Sequence, residues 1–402
     1  MRIALFHNLP SGGAKRAVYE WTRRMAADHR IDAYTLGSAD QSFCDIRPFV
    51  HKHRVFDFKA RRLFGSPWGR LNQMQRWRDL GELVQIGRCV ADEIDAGGYD
   101  VVFANPCSFS FIPAFLQYVQ TPAVYYLHEP FGRAFARQFR RPYLRNNGVR
   151  NALNHFDPLI RLYHRRLDSV QLRSLLQTTR LLANSHFTQS CMKAAYDVEA
   201  RVCQYGVDCE SFRPMRTIQK QNHVISVGEL SPRKGFDFLV ESLGQIPSAG
   251  RPALILACNS VDSSERDYIQ SLAADYGVEL TILINLDTDQ LAIEYNKARV
   301  CIYAPVQEPF GLVPLEAMSC GTPVIGVKEG GVEESIVHEK TGLLVERNPA
   351  RFASGVQYLL YNSTLAAEYG RQGREHILRN WTWDKSVAKL KEHLTDCSLS
   401  PS

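Results

Sequence analysis

The same succession of segments occurs twice in this chain and limits what it can fold into. An apolar run enters a Gly-bearing turn and then a segment with helical spacing: Arg2–His7, Asn8–Ala14 and Lys15–Met25 first, then Val224–Gly228, Glu229–Gly235 and Phe236–Leu243. Further apolar runs alternate with helical segments after each opening. Alternation of this kind predicts a parallel α/β sheet with helices on both faces, and a second start predicts a second sheet. At 402 residues the chain is long for one hydrophobic core. We therefore expect two nucleotide-binding-type domains facing across a cleft, residues 1–206 and 214–381, with a turn-rich linker between them and a final helical segment, 382–402. Clefts between domains are common ligand sites.

In the first half the spacing predicts strands over 31–36, 54–58, 99–104, 122–127, 181–185 and 200–205, and helices over 80–96, 113–120 and from 186 to about 196. Residues 132–180 read as helical for much of their length, broken near Asn146-Asn147-Gly148 and Asp157-Pro158. The second half adds strands over 253–258, 280–284 and 300–304, then a mostly helical tail interrupted at Trp381-Thr382-Trp383-Asp384. Asp287-Thr288-Asp289 could hold a metal through its carboxylates. The helical spacing of 290–298 favours a helix cap at Thr288 or Asp289 instead.

The stretch from Glu308 to Glu316, Glu-Pro-Phe-Gly-Leu-Val-Pro-Leu-Glu, joins an apolar run to a short helix and is followed by Gly321-Thr322-Pro323-Val324. Amides at a helix N-terminus attract an anion such as a phosphate, and carboxylates accept hydrogen bonds from hydroxyls. A ligand that is both sugar and phosphate fits that pairing, whereas two acids near a helix start ordinarily compensate its dipole. Gly12-Gly13 lets backbone approach a ligand closely, although many such turns bind nothing. His128 ends a strand where ligands bind in parallel sheets, although a lone His there is ordinarily structural. Arg233 and Lys234, after a strand and before a Gly, suit a leaving phosphate; without that context they read as surface charges.

Composition narrows the class. With 45% hydrophobic and 22% charged residues the chain reads as a soluble globular protein, and no apolar run approaches the ~20 residues of a membrane span. The apolar part of the N-terminal segment is too short for a signal peptide. Ten cysteines without a CxxC pair predict reduced thiols in a cytoplasmic protein, not a disulfide framework or zinc site. The net charge of +6 is unevenly placed: residues 133–180 hold eleven Arg against two Asp, and 51–78 is basic with Phe56, Phe58, Phe64, Trp68 and Trp77 interleaved. These stretches are either solvated helical faces or anchors for an anionic partner, phospholipid headgroups at the inner face of the membrane or an acidic substrate. No nucleic-acid-binding module accompanies the charge.

Spread over nearly the whole chain, Gly12-Gly13, His128, Asn184-Ser185, Gly206-Val207-Asp208, Arg233-Lys234-Gly235, Glu308-x7-Glu316 and Gly321-Thr322-Pro323-Val324 resemble the GT-B glycosyltransferases, and within them the retaining glycosyltransferase family 4. The resemblance implies two Rossmann-like domains and a last helix that crosses back to the first. It implies transfer of a sugar from a nucleoside diphosphate donor to an acceptor hydroxyl of a sugar, lipid or metabolite, with retention; no cofactor is expected, and no metal either, because the one candidate carboxylate pair, at 287–289, is better used as a helix cap. Residue by residue, it implies that Arg233 and Lys234 grip the donor diphosphate and that Glu316 takes both ribose hydroxyls. Glu308 and His128 contact the donor sugar; Phe310, Gly311, Leu312 and Val313 offer amides; and Gly12 and Gly13 lie under the diphosphate. Two positions depart from the family pattern: Glu229 stands where many relatives carry Arg, and Lys15 where they often carry Glu. A glycoside hydrolase built on Glu308 and Glu316, a nucleotide-sugar epimerase and a noncatalytic basic membrane-surface protein are the rival readings.

Overall fold

The computed structural model describes residues 1–65, 68–131, 135, 139–144 and 157–399. Much of the basic stretch 133–180, including the break expected near Asn146, lies outside them. The first sheet is built from β1 (Arg2–Asn8), β2 (Arg30–Leu36), β3 (Lys52–Phe56), β4 (Val101–Cys107), β5 (Ala123–Leu127), β6 (Arg180–Ala183) and β7 (Arg201–Val202), in the order β3-β2-β1-β4-β5-β6-β7. The second is built from β8 (Gln221–Val227), β9 (Ala253–Cys258), β10 (Leu280–Ile284), β11 (Ala298–Tyr303), β12 (Val324–Val327) and β13 (Gly342–Val345), in the order β10-β9-β8-β11-β12-β13.

Every pairing is parallel, and each sheet reverses its strand order once, beside its first strand. Parallel strands covered on both faces should be apolar almost throughout. Val101 to Cys107 and Ala123 to Leu127 are buried at every position.

The connecting helices are α1 (Gly13–Met25), α2 (Asn72–Asp95), α3 (Pro158–Leu176) and α4 (His186–Tyr196) in the first unit. The second carries α5 (Phe236–Gly244), α6 (Ser263–Asp275), α7 (Thr288–Lys297), α8 (Leu312–Ser319), α9 (Val332–Ser335), α10 (Pro349–Tyr361) and α11 (Ser363–Asn380). Finally α12 (Trp383–Ser398) returns to the first unit. It buries Val387, Leu390, Leu394 and Cys397 and packs on α1, where the Trp21 indole N–H donates to Ser386 Oγ at 2.9 Å. Gly206 permits this crossing, because a Cβ there would meet the Trp383 nitrogen at 2.3 Å.

Four expectations are corrected. Residues 113–120 form only a single 3-10 turn, Ala114–Gln117. Asp95 accepts from the Gln120 and Thr121 amides at 2.9 Å each, and Thr121 precedes a proline, which disfavours helix. Helix α2 begins eight residues before Leu80. The strand expected over 200–205 pairs only at Arg201–Val202, because Tyr205 turns toward the cleft. The cap of α7 is Asp287, not Thr288 or Asp289: its side chain accepts from the Gln290 amide while Gln290 reaches back to the Asp287 amide, a complete capping box.

Candidate active site between the two sheets

In open parallel sheets, ligands bind beyond the carboxyl ends of the strands where strand order reverses. Here those points on the two sheets face each other. Gly12 caps α1 at the end of β1, and a Cβ built on Gly13 would lie 3.5 Å from Leu312 Cδ1 at the start of α8. The first turns of the two helices therefore meet from opposite units, and each helix N-terminus carries partial positive charge.

Beside them stands the turn Pro232–Lys234. Gly235 ends it in the left-handed region at φ 67°, and a Cβ there would strike the Ala304 carbonyl oxygen at 2.1 Å. Only glycine lets the turn press against the end of β11. The Lys234 stem runs over Gly228, and its ammonium donates to Glu308 Oε2 at 2.8 Å. Burial alone would raise the Glu308 carboxyl, but Lys234 and Arg233 outweigh it and hold it below its usual value. Arg233 reaches the other unit, where Glu129 Oε2 accepts from it at 3.1 Å.

Glu316, one turn into α8, is buried and accepts from Arg16 of α1 at 2.7 Å and from the Tyr295 hydroxyl at 2.9 Å. Burial raises its carboxyl above the usual value against the opposing pull of Arg16 and Tyr295. Next to it opens a cavity of about 470 Å³, bounded by Leu312, Glu316 and Thr288 on one side and by Arg16, Tyr19 and the Phe43–Phe49 segment on the other.

His128 is buried, and burial pushes its imidazole down to about 3, so the ring is neutral. Both ring nitrogens are engaged, with Asn105 Oδ1 at 2.9 Å and the Tyr205 hydroxyl at 2.5 Å, and its carbonyl accepts from Asn184 Nδ2 at 2.6 Å. Phe310 places its ring in the seam between the units, 4.8 Å from Tyr205 and 5.7 Å from Trp381; Gly311, Leu312 and Val313 begin α8 behind it.

Of the residues singled out from sequence, Leu312 and Glu316 line the cavity, Gly13 faces Leu312, and Lys234 pairs with Glu308 beside Arg233. Gly12 and Gly311 cap α1 and α8 with Val313 in the first turn of α8, Phe310 is buried in the seam, and His128 bonds to Tyr205. Arg16, Tyr295 and the 43–49 segment were not anticipated, and Glu129, which the sequence presents beside His128 at a strand end, was given no role. Arg16 had a signal, being one helical turn beyond Gly12. Lys15 is fully buried, 3.1 Å from His7 Nε2, and burial lowers its amine to about 8 against the opposing effect of Asp40.

Residues 11–211, half of the chain, match the family described as Glycosyltransferase Family 4, and residues 209–376 match the family of glycosyl transferases group 1. The chain belongs to glycosyltransferase family 4. This family 4 chain is 32% identical over 206 residues to the D-inositol 3-phosphate glycosyltransferase of Acidothermus cellulolyticus, covering 46% of each. It is also 32% identical over 234 residues to the GDP-mannose-dependent alpha-(1-6)-phosphatidylinositol monomannoside mannosyltransferase of Mycobacterium tuberculosis, covering 52% of this chain and 60% of that one. The chain thus spans about half the length of the curated relatives it matches. Its fold is that of the sucrose-phosphate synthase from Thermosynechococcus elongatus, with TM-score 0.72 and 22% identity over 98% of both chains. That is the GT-B arrangement.

The basic stretches divide. Arg61 pairs with Asp79 and Glu82, Arg54 and Lys52 pair with Glu93, and Arg166 lies over the Trp77 ring at 4.3 Å. Arg62, Arg78, Arg161 and Arg165 are exposed, as are Leu63, Phe64, Met74, Leu159 and Leu162 around the starts of α2 and α3. No helix among the described residues is long and apolar enough to cross a membrane.

Proposed function

We propose that this chain transfers a sugar from a nucleoside diphosphate donor to an acceptor hydroxyl with retained anomeric configuration. One observation carries the reading: the N-termini of α1 and α8 meet beside Arg233 and Lys234, with Glu308 and Glu316 spaced along the same wall. In this reading the diphosphate lies at those helix N-termini and is gripped by Arg233 and Lys234, the ribose hydroxyls donate to Glu316, and the nucleoside end occupies the adjoining cavity. The sugar then falls near Glu308, with His128 as a neutral, fixed wall behind it.

As the bond from the anomeric carbon to the diphosphate oxygen breaks, negative charge grows on the leaving group, where fixed cations and amides stabilise it most. The acceptor hydroxyl attacks from the same face and gives its proton to that departing oxygen. The cations and helix termini supply the charge that a metal would otherwise bring, so the reaction is proposed to need none. Thermal-shift screening with UDP-, GDP- and ADP-sugars identifies the donor, since a ligand that binds the folded state raises its stability. Full turnover in excess chelator and an axial or equatorial product matching the donor are expected; inverted product, or activity abolished by chelator and restored by manganese, refutes the proposal.

For the acceptor we infer a molecule presented at an anionic lipid surface, which also places the protein at the membrane. The relative named for phosphatidylinositol monomannoside supports this class, whereas the relative named for inositol 3-phosphate is named for a water-soluble phosphate. The exposed mixture of Arg and apolar side chains at the starts of α2 and α3 also supports it. Flotation with vesicles containing phosphatidylglycerol, but not with purely zwitterionic ones, is expected; equal absence from both refutes the lipid-surface reading.

A further inference from the structure

Arg141 belongs to the Arg-rich stretch, yet its side chain is only 6% exposed. It follows His128 and Glu129 in sequence, and its side chain contacts the second unit. Its guanidinium donates to both oxygens of Glu265 at 3.0 Å through Nε and Nη2, and to Asp237 Oδ2 at 2.8 Å through Nη1. It also lies over the Tyr268 ring at 5.2 Å. Glu265 is fully buried and is joined by the Tyr143 hydroxyl. A carboxylate placed so needs a partner, because a buried charge without one is strongly disfavoured.

The target of this grip is specific. Asp237 lies in the first turn of α5, three residues after the Pro232–Lys234 turn, and the same guanidinium reaches the Pro232 carbonyl at 3.5 Å. From the other side Glu129 holds Arg233. Two side chains from the first half of the sequence, twelve positions apart, thus hold the turn that carries both cations. A planar, five-donor guanidinium can meet Glu265, Asp237 and a carbonyl together, whereas an ammonium cannot reproduce that fork.

We propose that Arg141 is a positioning residue: by bridging Glu265, Asp237 and the Pro232 carbonyl across the two units, it fixes the turn so that Arg233 and Lys234 face the diphosphate only when the units are docked. This rests on the reading of the crevice as a nucleoside diphosphate site. The part of the ligand it governs is the second phosphate, not the nucleoside.

The test compares UDP with UMP, GDP with GMP and ADP with AMP, by calorimetric titration of the full chain. Wild type should prefer one diphosphate over its monophosphate. Arg141→Met should weaken that diphosphate about tenfold, the scale of one strong hydrogen-bonded contact, while leaving monophosphate affinity within about twofold. Arg141→Lys keeps the charge without the fork and should fall between; it also serves if the Met variant does not fold. A preference unchanged in both variants, or an equal loss for mono- and diphosphate, overturns the positioning role while leaving the site reading intact. A wild type that never discriminates diphosphate from monophosphate overturns the site reading itself, and this inference with it.

Discussion

Glu316 already accepts one hydrogen bond on each carboxylate oxygen, from Arg16 and Tyr295, and a carboxylate oxygen has capacity for a second. Ribose hydroxyls would complete the set. Hydrogen bonds to a charged group contribute about 1.5–3 kcal/mol, so Glu316→Ala should weaken the donor about 10- to 100-fold; unchanged affinity by titration calorimetry would remove the ribose from this residue. Arg16 opposes the effect of burial on that carboxyl. Arg16→Met should therefore let Glu316 protonate at a higher pH than in wild type, and donor affinity should fail earlier as the solution is acidified. Coincident pH profiles for the two proteins would contradict this. Lys15 gives a second pH signature. The folded chain holds its amine near 8 against an ordinary 10.5, so between those values the unfolded state binds more protons and stability rises with pH. Denaturant titrations should show wild type gaining on Lys15→Met across that window, by at most about 3 kcal/mol; parallel curves would place the amine at its ordinary value. Glu308 and Glu316 could be read from spacing because they share one short segment, and Lys234 because it follows a strand and precedes a Gly. The pairings of Arg16, Glu129 and Arg141 could not be read, since their partners lie 300, 104 and 124 positions away in sequence.

At the scale of elements, the order of strands and helices was legible because parallel sheets write long apolar runs into the chain. Their ends were less so, since ends are decided by partners. Asp95 cuts short the helix expected over 113–120, and Tyr205 leaves β7 to face the cleft. The cap of α7 shows the same displacement, one residue earlier than the spacing suggested. That cap matters beyond its helix, because α7 carries Tyr295 and through it one side of Glu316. Asp287→Ala removes the carboxylate that accepts from the Gln290 amide, leaving only the bond from the Asp287 amide to the Gln290 side chain, and should lower stability by about 1 kcal/mol, seen as a reduced denaturation midpoint. With saturating donor its turnover should stay within about twofold of wild type, as expected of a cap that acts through stability. If instead turnover is abolished and manganese restores it, the aspartate is a metal ligand and the cap is incidental.

Across the whole molecule, one hydrophobic cluster joins Leu5, Trp21, Tyr126 and Tyr205 of the first unit to Phe310, Leu315, Trp381 and Trp383. Trp383 opens α12, the element that returns across the seam, and its ring meets Trp21 at 6.2 Å and Tyr205 at 6.3 Å. Units joined only by a polar interface move and unfold separately by default, whereas a large apolar interface couples them. Ser185 donates to the Pro309 carbonyl and Glu334 accepts from the Phe187 amide at 2.5 and 2.9 Å, so polar bonds rim the same seam. Scanning calorimetry of wild type should therefore show a single transition whose calorimetric and van't Hoff enthalpies agree. Trp383→Ala removes the ring that touches both Trp21 and Tyr205; truncating a buried aromatic costs about 3–5 kcal/mol, and here the loss falls on the coupling. The variant should resolve into two transitions, the lower assigned to the first unit because it loses the cover of α12. A wild type with two well-separated transitions would mean that the shared cluster does not bind the units into one cooperative body, and that closure over the donor is set by the ligand and the interunit ion pairs instead.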